Sequence, residues 1–426
     1  MPLLSPLHQR EFAREVLQRL RVAGYDAYWA GGCVRDHLMR RTPKDYDVAT
    51  NALPDQVRDL FGRRRTVPVG AAFGVIMVVG PTGAGQVEVT TFRRDAAYSD
   101  GRHPDSVTFS SAEEDASRRD FTINGLFYDP VEDRVLDYVG GQADLAQGII
   151  RAIGDPAERF AEDKLRMLRA VRFAATFDFH LDEATWTAIQ RTADQISVVS
   201  PERIAAEMRR LLVETYRVRG LRLLVQARLA ETVLPEILAS EAAAKQGLER
   251  NLAVLGELRA PRFPSALAVL LSGLVDAGGA QSVGLRWRLS NKEIESLVWL
   301  VDHHQALRGA RRQPRCRLFR VLAHADAANL SAMTSAAARA GQADPADAAW
   351  CLELLEDTRE KFDPNPLLTG GDLLQRGWKA GPAFRHVLEA IRDAQLEGEI
   401  GSRDEALALA ERLYTSFGEN HARRAD

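Results

Sequence analysis

The chain has 426 residues, more than the roughly 250 to 300 at which a single hydrophobic core stops growing, so we expect at least two domains. Hydrophobic residues make up 46% and charged residues 27% of the composition, which excludes a disordered or fibrous protein. The formal net charge of -3 gives no overall positive field, so any nucleic-acid-binding surface must be a local basic patch.

The cysteines and the N-terminal segment indicate the cellular compartment of the protein. Cys33, Cys316 and Cys351 lie far apart and lack CxxC or metal-binding spacing, which predicts free thiols in a reducing compartment and no disulfide partner. The first residues lack the basic and apolar regions of a signal peptide, and no stretch approaches the roughly 18 apolar residues of a membrane span. These features predict a cytoplasmic protein with no membrane partner.

The front of the chain alternates between helix and strand patterns. Apolar residues recur at helical spacing over 9–24, which predicts a helix that ends at Gly24. Apolar and alternating runs predict four strands, over 26–31, 45–49, 74–80 and 86–92. The turn-rich segment PTGAG joins the last two, so we expect them to form a hairpin. Up to about residue 145 the chain is therefore predicted to be mixed α and β.

The pattern changes from residue 157 onward. Apolar residues recur there at spacings of three and four residues, alanine and leucine dominate, and strand patterns nearly vanish. This predicts an α+β protein with a small mixed sheet, followed by an all-α C-terminal half. Segments rich in proline, glycine or small polar residues predict breaks near 198–203, 260–265, 340–347 and 362–371.

Two aspartates stand one residue apart in the segment 45-DYD-47. Residues i and i+2 of a strand point to the same face, so Asp45 and Asp47 would project into one small volume where like charges repel. A hard divalent cation, Mg²⁺ above all, would relieve the repulsion. Glu88 could complete the set if its strand neighbours the first. The alternative is a solvated strand end without a ligand.

Glycines and arginines near these acids indicate a phosphate site. Gly31 and Gly32 precede a predicted helix, where backbone N–H groups and the helix dipole favour an anion. Arg35 adds a guanidinium about one turn into the helix. The segment 115-DASRRDFTING-125 carries another arginine pair with an acid. Together with the two aspartates, this combination predicts a triphosphate and metal site suited to in-line nucleotidyl transfer.

At this point the sequence resembles the class II tRNA nucleotidyltransferases and bacterial poly(A) polymerases, within the polymerase-beta-like nucleotidyltransferase superfamily. GGCVRD through DYDVAT is similar to the catalytic motif of the family, and SRRDFTING to its sugar and triphosphate motif. DYVGGQADLAQGIIRAIGDP resembles the hinge segment, AEDKLRMLRAVRFAATF the base-recognition helix, and SPERIAAEM the motif that braces this helix. The motifs occur in family order over roughly 25–210.

The resemblance implies roles for particular residues. Asp45 and Asp47 would be catalytic acids and ligands of Mg²⁺, with Glu88 as a third acid. The residues expected to bind the nucleotide are Gly31, Gly32, Arg35, Arg118, Arg119, Asp120, Asn124, Asp163, Arg166, Arg169 and Arg172. The implied domains are a nucleotidyltransferase catalytic head over 1–145, a helical neck for base recognition over 146–215, a helical body over 216–340 and a helical, tRNA-binding tail over 341–426.

The spacing of Asp163, Arg166, Arg169 and Arg172 supports a base-reading role independently, because successive threes keep one acid and three arginines along a common helix side. An exposed stripe of ion pairs is the alternative. A carboxylate acceptor beside a guanidinium donor can pair with the amino group and the adjacent ring nitrogen of cytosine or adenine. Guanine and uracil present the opposite pattern and would leave buried groups unpaired, at a cost of about 1 to 3 kcal/mol each. We therefore hypothesise selection of CTP and ATP without a nucleic-acid template.

The resemblance leaves the product open. The segment 93–115 is long, which favours an enzyme that adds CMP and AMP to tRNA or adds AMP alone, and 62–78 lacks the continuation typical of poly(A) polymerases. The stretch AAFGVIM differs from the more usual histidine-glycine form, and Gly125 stands where alanine is common in the family. A non-catalytic RNA-binding protein is a further alternative, which the intact Asp45, Asp47 and Arg119 disfavour.

Basic residues in the helical half are candidates for the tRNA contact, and solvated helix faces are the alternative. One cluster comprises Arg209, Arg210, Arg217, Arg219 and Arg222; the densest lies over 308–320, and turns in the tail over 366–407 could approach a phosphate backbone. His303, His304, His324 and Asp326 invite a phosphohydrolase interpretation, but they lack the contiguous pattern of that metal site, so we predict packing or surface roles for them.

Overall fold

The computed structural model describes residues 6–70, 73–95, 106–238, 242–378 and 381–422. The chain divides into two compact units, Met1–Leu238 and Ala239–Asp426. The finer division into head, neck, body and tail stays a prediction. Cys33, Cys316 and Cys351 are free thiols, and burial raises the pKa of Cys33 to about 12. Within the ranges described, no helix has the length and apolar character needed to cross a membrane.

The first unit is built around a seven-stranded mixed sheet with the order β3-β4-β5-β2-β1-β8-β9. β2 and β5 run parallel, whereas the other neighbours in this sheet are antiparallel. Two short pairs, β6 with β7 and β10 with β11, complete the strands. The strands are β1 Ala27–Ala30, β2 Asp47–Thr50, β3 Thr66–Gly70, β4 Val75–Val79, β5 Gln86–Thr91, β6 Arg93–Asp95, β7 Val107–Phe109, β8 Phe127–Asp129, β9 Arg134–Leu136, β10 Ile149–Ile150 and β11 His180–Leu181.

Helices of the first unit cover the sheet and continue beyond it. The apolar face of α1 packs with Trp29, Val48 and Val89 of the sheet in one buried cluster, so the helical spacing read from the sequence is the spacing of the core. The helices are α1 Pro6–Val22, α2 Gly32–Leu38, α3 Pro54–Phe61, α4 Ala112–Ser117, α5 Gly141–Gln147, α6 Pro156–Glu162, α7 Leu165–Phe177, α8 Glu183–Thr192, α9 Pro201–Val213, α10 Arg217–Gln226 and α11 Ala230–Val233.

The second unit is helical in the part of it that the structure describes. Its most apolar helix, α13, is buried along nearly its whole length, and the C-terminal helices share a cluster in which Trp378 stacks on Tyr414. The helices are α12 Ala242–Glu257, α13 Phe263–Leu271, α14 Ala277–Arg286, α15 Asn291–Asp302, α16 Arg315–Leu322, α17 Ala327–Arg339, α18 Pro345–Glu356, α19 Gly370–Gln375, α20 Pro382–Glu397 and α21 Arg403–Ala422. The α+β fold class with a helical C-terminal half is confirmed.

Three local differences from the sequence-based prediction matter. Asp45 lies in a bend before β2 rather than within the strand, because the ladder between β2 and its neighbours begins at Asp47. A two-residue strand, β11, interrupts the predicted all-helical part and pairs with β10. Part of the long segment over 93–115, residues 96–105, lies outside the described residues, as do residues 71 and 72 of the AAFGVIM stretch.

Candidate active site

The acids predicted to bind metal meet at the centre of the sheet. Asp47 opens β2 and is the register partner of Glu88 in the parallel strand β5. Tyr46 and Val48 are buried at 5% and 0% exposure, whereas Asp45 is exposed and Asp47 half-buried. Asp45 and Asp47 both line one cleft, and the carboxylate of Asp45 contributes to the raised pKa of Asp47, so the two acids lie near each other although Asp45 precedes the strand.

The electrostatics of this cluster favour a cation. Burial raises the pKa of Asp47 to about 7, and the neighbouring carboxylates of Glu88 and Asp45 contribute to the rise. Burial and Asp45 likewise raise the pKa of Glu88. These shifts mean that three acids share a site with too little positive charge. Over the described ranges, no three or more His, Cys, Asp or Glu side chains are grouped so as to hold a metal by themselves.

Two separate constraints require glycine at position 31, in the turn before α2. Gly31 has φ of 70°, a left-handed conformation that favours glycine. A Cβ atom at this position would also lie 2.8 Å from Nη1 of Arg119. The turn therefore lets the backbone come close to an arginine of the second motif, and α2 begins at Gly32 directly afterwards. Both predicted glycines line the same cleft as the aspartates.

Arg35 is held in place from several sides. Its Nη1 donates to Oδ1 of Asn124 at 2.6 Å, and its Nη2 pairs with Asp36 at 2.7 Å. Its guanidinium lies 4.5 Å from the centroid of the Phe177 ring. A buried guanidinium fixed in this way loses little conformational entropy on meeting a phosphate.

Asp115 organises the arginines of the second motif. The carboxylate is fully buried, and each of its oxygens accepts from one guanidinium, Arg118 at 2.7 Å and Arg119 at 2.9 Å. Burial alone would raise the pKa of Asp115, but Arg119 and Arg118 outweigh it and lower the value. We did not single out this aspartate from the sequence. Its spacing of three and four residues to Arg118 and Arg119, just after a short helix, was the available signal.

Asp120 links the second motif to helix α7. Its Oδ2 accepts from Nε and Nη2 of Arg169 at 2.9 and 2.6 Å, and its Oδ1 accepts from Nδ2 of Asn124 at 3.0 Å. Burial opposes the charged form, yet Arg169 and Asn124 lower the pKa of Asp120 to about 2. Asn124 also accepts from Arg35 of α2. One chain of hydrogen bonds therefore joins Arg35, through Asn124 and Asp120, to Arg169 of α7.

The predicted base-recognition helix begins later than the spacing of three suggested. Asp163 is extended and follows α6, and its Oδ1 accepts from the backbone N–H of Leu165, the first residue of α7, at 3.0 Å. Its Oδ2 accepts from Nη2 of Arg203 at 2.6 Å. Asp163 is therefore the residue at which α6 ends, and its side chain bonds the first residue of α7 from the position before the N-cap, Lys164. Arg166 bonds Glu162 of α6 at 2.5 Å.

Glu207 of α9 completes the arginine stripe of α7. It is buried at 3% exposure and bonds Nε of Arg172, with Nη1 of Arg169 at 3.7 Å and Nη1 of Arg210 at 3.3 Å. We did not predict this acid as a site residue. It lies 35 residues from Arg172, so no local pattern pointed to it.

A cleft of about 1120 Å³ unites the predicted site residues. Every residue that we predicted to act in catalysis, metal binding or nucleotide binding lines this cleft. Further cations at its wall, not predicted as site residues, are Arg41, Lys44, Arg93, Arg203 and Arg210. Phe173 and Phe177 of α7 add aromatic surface. The residue roles remain proposals, but their convergence in one space is a property of the fold.

Several residues of the basic and histidine clusters form contacts within the protein. Arg219 donates to the carbonyls of Ala174 and Phe179 at 3.0 and 2.7 Å, and Arg217 is buried. His303 and His324 both stack on Trp299. The carboxylate of Asp326 accepts from Ser296 and Asn329. In the 308–320 cluster, Arg311 pairs with Asp344 and Asp347, and Arg320 with Asp393.

Comparison with known proteins places this site in a family. Residues 27–151 match the poly A polymerase head domain, and residues 178–240 match a probable RNA and SrmB-binding site of polymerase A. The CCA-adding enzyme of Limosilactobacillus fermentum is 34% identical over 406 residues, covering 94% of this chain and 96% of the relative. That of a Geobacillus species is 34% identical over 395 residues, covering 92% and 94%.

The chain belongs to the CCA-adding enzyme family.

A solved structure agrees with this assignment. The CCA-adding enzyme of Bacillus stearothermophilus, crystallised in complex with CTP, superposes with a TM-score of 0.77 at 31% identity, covering 98% of this chain and 100% of that one. Membership of the CCA-adding family makes the chain a nucleotidyltransferase and implies use of a divalent metal. The sequence-based recognition of the family is confirmed.

Proposed function

We propose that this chain adds CMP and AMP to the 3′ end of tRNA, using CTP and ATP with Mg²⁺ and releasing pyrophosphate. The observation that carries the proposal is the placement of Asp45, Asp47 and Glu88 in one cleft with Arg118 and Arg119. Acids that need a cation, facing arginines that suit phosphates, form the charge pattern of a metal-assisted phosphoryl transfer. The CTP complex of the Bacillus stearothermophilus relative supports the choice of nucleotide.

The chemical step needs positioning and charge rather than covalent catalysis. The 3′ oxygen of the RNA forms a bond to the α-phosphorus, and the bond between that phosphorus and the bridging oxygen of the β-phosphate breaks. Asp45 and Asp47 would hold Mg²⁺, and the raised pKa of Asp47, to which Asp45 contributes, fits a site that needs a cation. The ion would supply charge neutralisation and a template for the phosphates. Glu88 adds a third negative charge beside Asp47.

The arginines of the cleft would hold the triphosphate. Arg118 and Arg119 are fixed by Asp115, and Arg35 by Asn124 and Asp36, so three guanidiniums are already oriented before substrate arrives. Planar guanidiniums match phosphate oxygens in pairs. Donors that are already oriented stabilise the negative charge that develops on the leaving pyrophosphate, because they need no reorganisation during the reaction.

Asp163 and Arg166 would read the base. Asp163 is braced by Arg203, and Arg166 by Glu162, so neither side chain is free to adapt to a different pattern of donors and acceptors. The carboxylate accepts from the exocyclic amino group of cytosine or adenine, and the guanidinium donates to the adjacent ring nitrogen. A rigid reader of this kind rejects uracil and guanine because their groups would remain unpaired.

Three tRNA transcripts test the proposal against its alternatives. They end at the discriminator base, after the first added C and after the second, and each is incubated with labelled CTP or ATP before the products are sequenced. We expect CMP on the first two and AMP on the third. Addition of AMP alone would indicate an A-adding enzyme, and a long A tract would indicate a poly(A) polymerase. The proposed cytoplasmic location is tested by cell fractionation.

A further inference from the structure

The second unit contains a separate cavity of about 140 Å³ that the proposed reaction does not use. Its walls come from α12, the end of α13, the segment after α15, and α17 with the turn that follows it. Two hydrogen bonds hold α12 beside α17 and its following turn: Nε2 of Gln342 donates to the carbonyl of Arg250 at 2.8 Å, and Nη2 of Arg339 donates to the carbonyl of Glu257 at 2.7 Å. The cavity therefore lies between helices that are tied together.

The mouth of this cavity carries positive charge that nothing in the described chain neutralises. Arg250 and Arg308 line it, both are exposed, and neither forms an ion pair with another described residue. The lining contains no aspartate or glutamate. His304 bonds the carbonyl of Val301 through Nδ1 at 2.7 Å and the side-chain amide of Gln305 through Nε2 at 3.1 Å. Two guanidiniums thus set the electrostatics of the opening.

The floor of the cavity is apolar. Val254, Val269 and Met333 are buried at 7%, 3% and 5% exposure, and Ala337 lies beside them in the lining. A cavity of roughly this volume is known to admit a molecule the size of benzene. At 140 Å³ it is smaller than the roughly 300 Å³ or more of a site for a whole cofactor. One planar ring is the largest group that the space suits.

An acceptor group stands at the wall. Nδ2 of Asn251 donates to the carbonyls of Leu270 and Ser272 at 3.0 and 2.8 Å. The side-chain oxygen Oδ1 of Asn251 accepts no hydrogen bond from the part of the chain that the structure describes. A ring that enters the cavity could therefore donate an N–H group to it. The apolar floor and the one acceptor suit a base, and the two cations at the mouth suit a phosphate attached to it.

We propose that this cavity binds one unstacked nucleotide, with the base on the floor formed by Val254, Val269 and Met333 and its phosphate between Arg250 and Arg308. The unit that binds is a nucleoside phosphate, supplied either by an RNA chain or by a free mononucleotide. Single-stranded RNA bases are commonly splayed out into such pockets. The RNA source rests on the proposed function, because it assumes that tRNA is the substrate.

The test measures tRNA binding without CTP or ATP, by fluorescence anisotropy between 50 and 200 mM salt. The variant Arg250→Gln/Arg308→Gln removes the cations at the mouth and leaves the floor intact. The slope of log Kd against log salt concentration should fall by about 0.7 to 0.9, the contribution of the one phosphate that the two arginines no longer neutralise. The variant Ala337→Leu fills the floor and leaves both arginines. It should weaken tRNA binding about 10-fold.

A matched control separates a site from general charge. Arg259 and Arg262 are exposed arginines of the same unit that do not line the cavity. Arg259→Gln/Arg262→Gln should leave the slope unchanged. Circular dichroism and thermal unfolding verify that each variant is folded, and the exposed arginine variants keep the test valid if Ala337→Leu misfolds. Wild-type incorporation of CMP is measured separately, and its absence would count against the proposed function alone.

A second arm distinguishes the two sources. Calorimetric titration with CMP and AMP compares the wild type with Ala337→Leu. Loss of tRNA affinity in both cavity variants identifies RNA as the source. Unchanged tRNA affinity, with a CMP or AMP binding event present in the wild type and absent in Ala337→Leu, identifies a free mononucleotide. If neither tRNA nor mononucleotide binding changes, or if the control variant loses as much of the slope, the proposed site is wrong.

Discussion

Asp47 and Glu88 are direct partners in the parallel pairing of β2 and β5, although 40 other residues separate them along the chain. Parallel pairing brings the two acids to the same position along the sheet, next to Asp45 in the bend before β2. Burial raises the pKa of both Asp47 and Glu88; the carboxylates of Glu88 and Asp45 add to the rise at Asp47, and that of Asp45 adds to the rise at Glu88. The sheet thus enforces a cluster of negative charge that the chain alone does not balance, and we propose that this cluster marks the catalytic end of the cleft.

Replacing Glu88 tests whether the third acid takes part in the reaction. We expect Glu88→Gln to lower kcat for CMP incorporation by about 100-fold, the typical contribution of a positioned carboxylate, with a smaller change in KM for CTP. Steady-state incorporation into a tRNA lacking its 3′ end measures both constants. Glu15→Gln, an exposed acid on α1, is the control and should behave as the wild type. Equal kcat in the two variants would exclude Glu88 from the reaction.

Asp115 is predicted to support substrate binding through the arginines that it holds. Asp115→Asn leaves Arg118 and Arg119 without their buried counter-charge, so we expect a loss of about 3 kcal/mol in unfolding free energy. KM for CTP should rise because the guanidiniums lose their orientation. Urea unfolding and steady-state kinetics measure the two effects. Glu113→Gln, exposed on the same helix, should change neither; an unaltered KM in Asp115→Asn would separate the acid from triphosphate binding.

The ion pair of Asp120 with Arg169 predicts a pH dependence of stability. The pKa of Asp120 falls from 3.8 to about 2 in the folded protein, so the charged form stabilises folding above about pH 4 and this contribution disappears as the pH falls through about 2. Asp120→Asn should therefore be less stable than the wild type by about 2 kcal/mol at pH 7, and the gap should narrow below about pH 4. Urea midpoints across this range test it. A gap that is constant or widens in acid would contradict the expectation.

Gly125 is predicted to be required by packing rather than by backbone conformation. A Cβ atom there would lie 2.6 Å from Cγ2 of Val139 and 3.2 Å from Cδ1 of Ile153, although φ is an ordinary -87°. We expect Gly125→Ala, the residue common in the family, to cost about 1 to 3 kcal/mol through overpacking. Thermal unfolding measures the loss. Gly278→Ala in α14, where a Cβ would lie at an ordinary contact distance of 3.5 Å from Oδ1 of Asp276, is the control and should be neutral or slightly stabilising.

The parts of this molecule that were predictable from sequence follow local periodicity. The apolar face of α1 depends on spacing within one helix, and the hairpin of β4 and β5 on two neighbouring strands joined by a short turn. Two residues that brace the site from other parts of the fold were not predictable in this way. Glu207 reaches Arg172 from another helix, and Asp163 lies between two helices, where its side chain bonds Leu165 of α7 and Arg203 of α9. Such contacts depend on tertiary packing, which no single-element pattern records.

The most direct test of the account compares Asp45→Ala and Asp47→Ala with the wild type in two assays on the same preparations, CMP incorporation into tRNA and tRNA binding. We predict that incorporation is lost in both variants, by at least about 1000-fold, because the metal no longer has its carboxylates. Binding of tRNA should stay within about 2-fold of the wild type, since these acids contribute no favourable contact to the RNA backbone. Incorporation that survives in both variants would contradict the assignment of this acidic cluster as the catalytic centre.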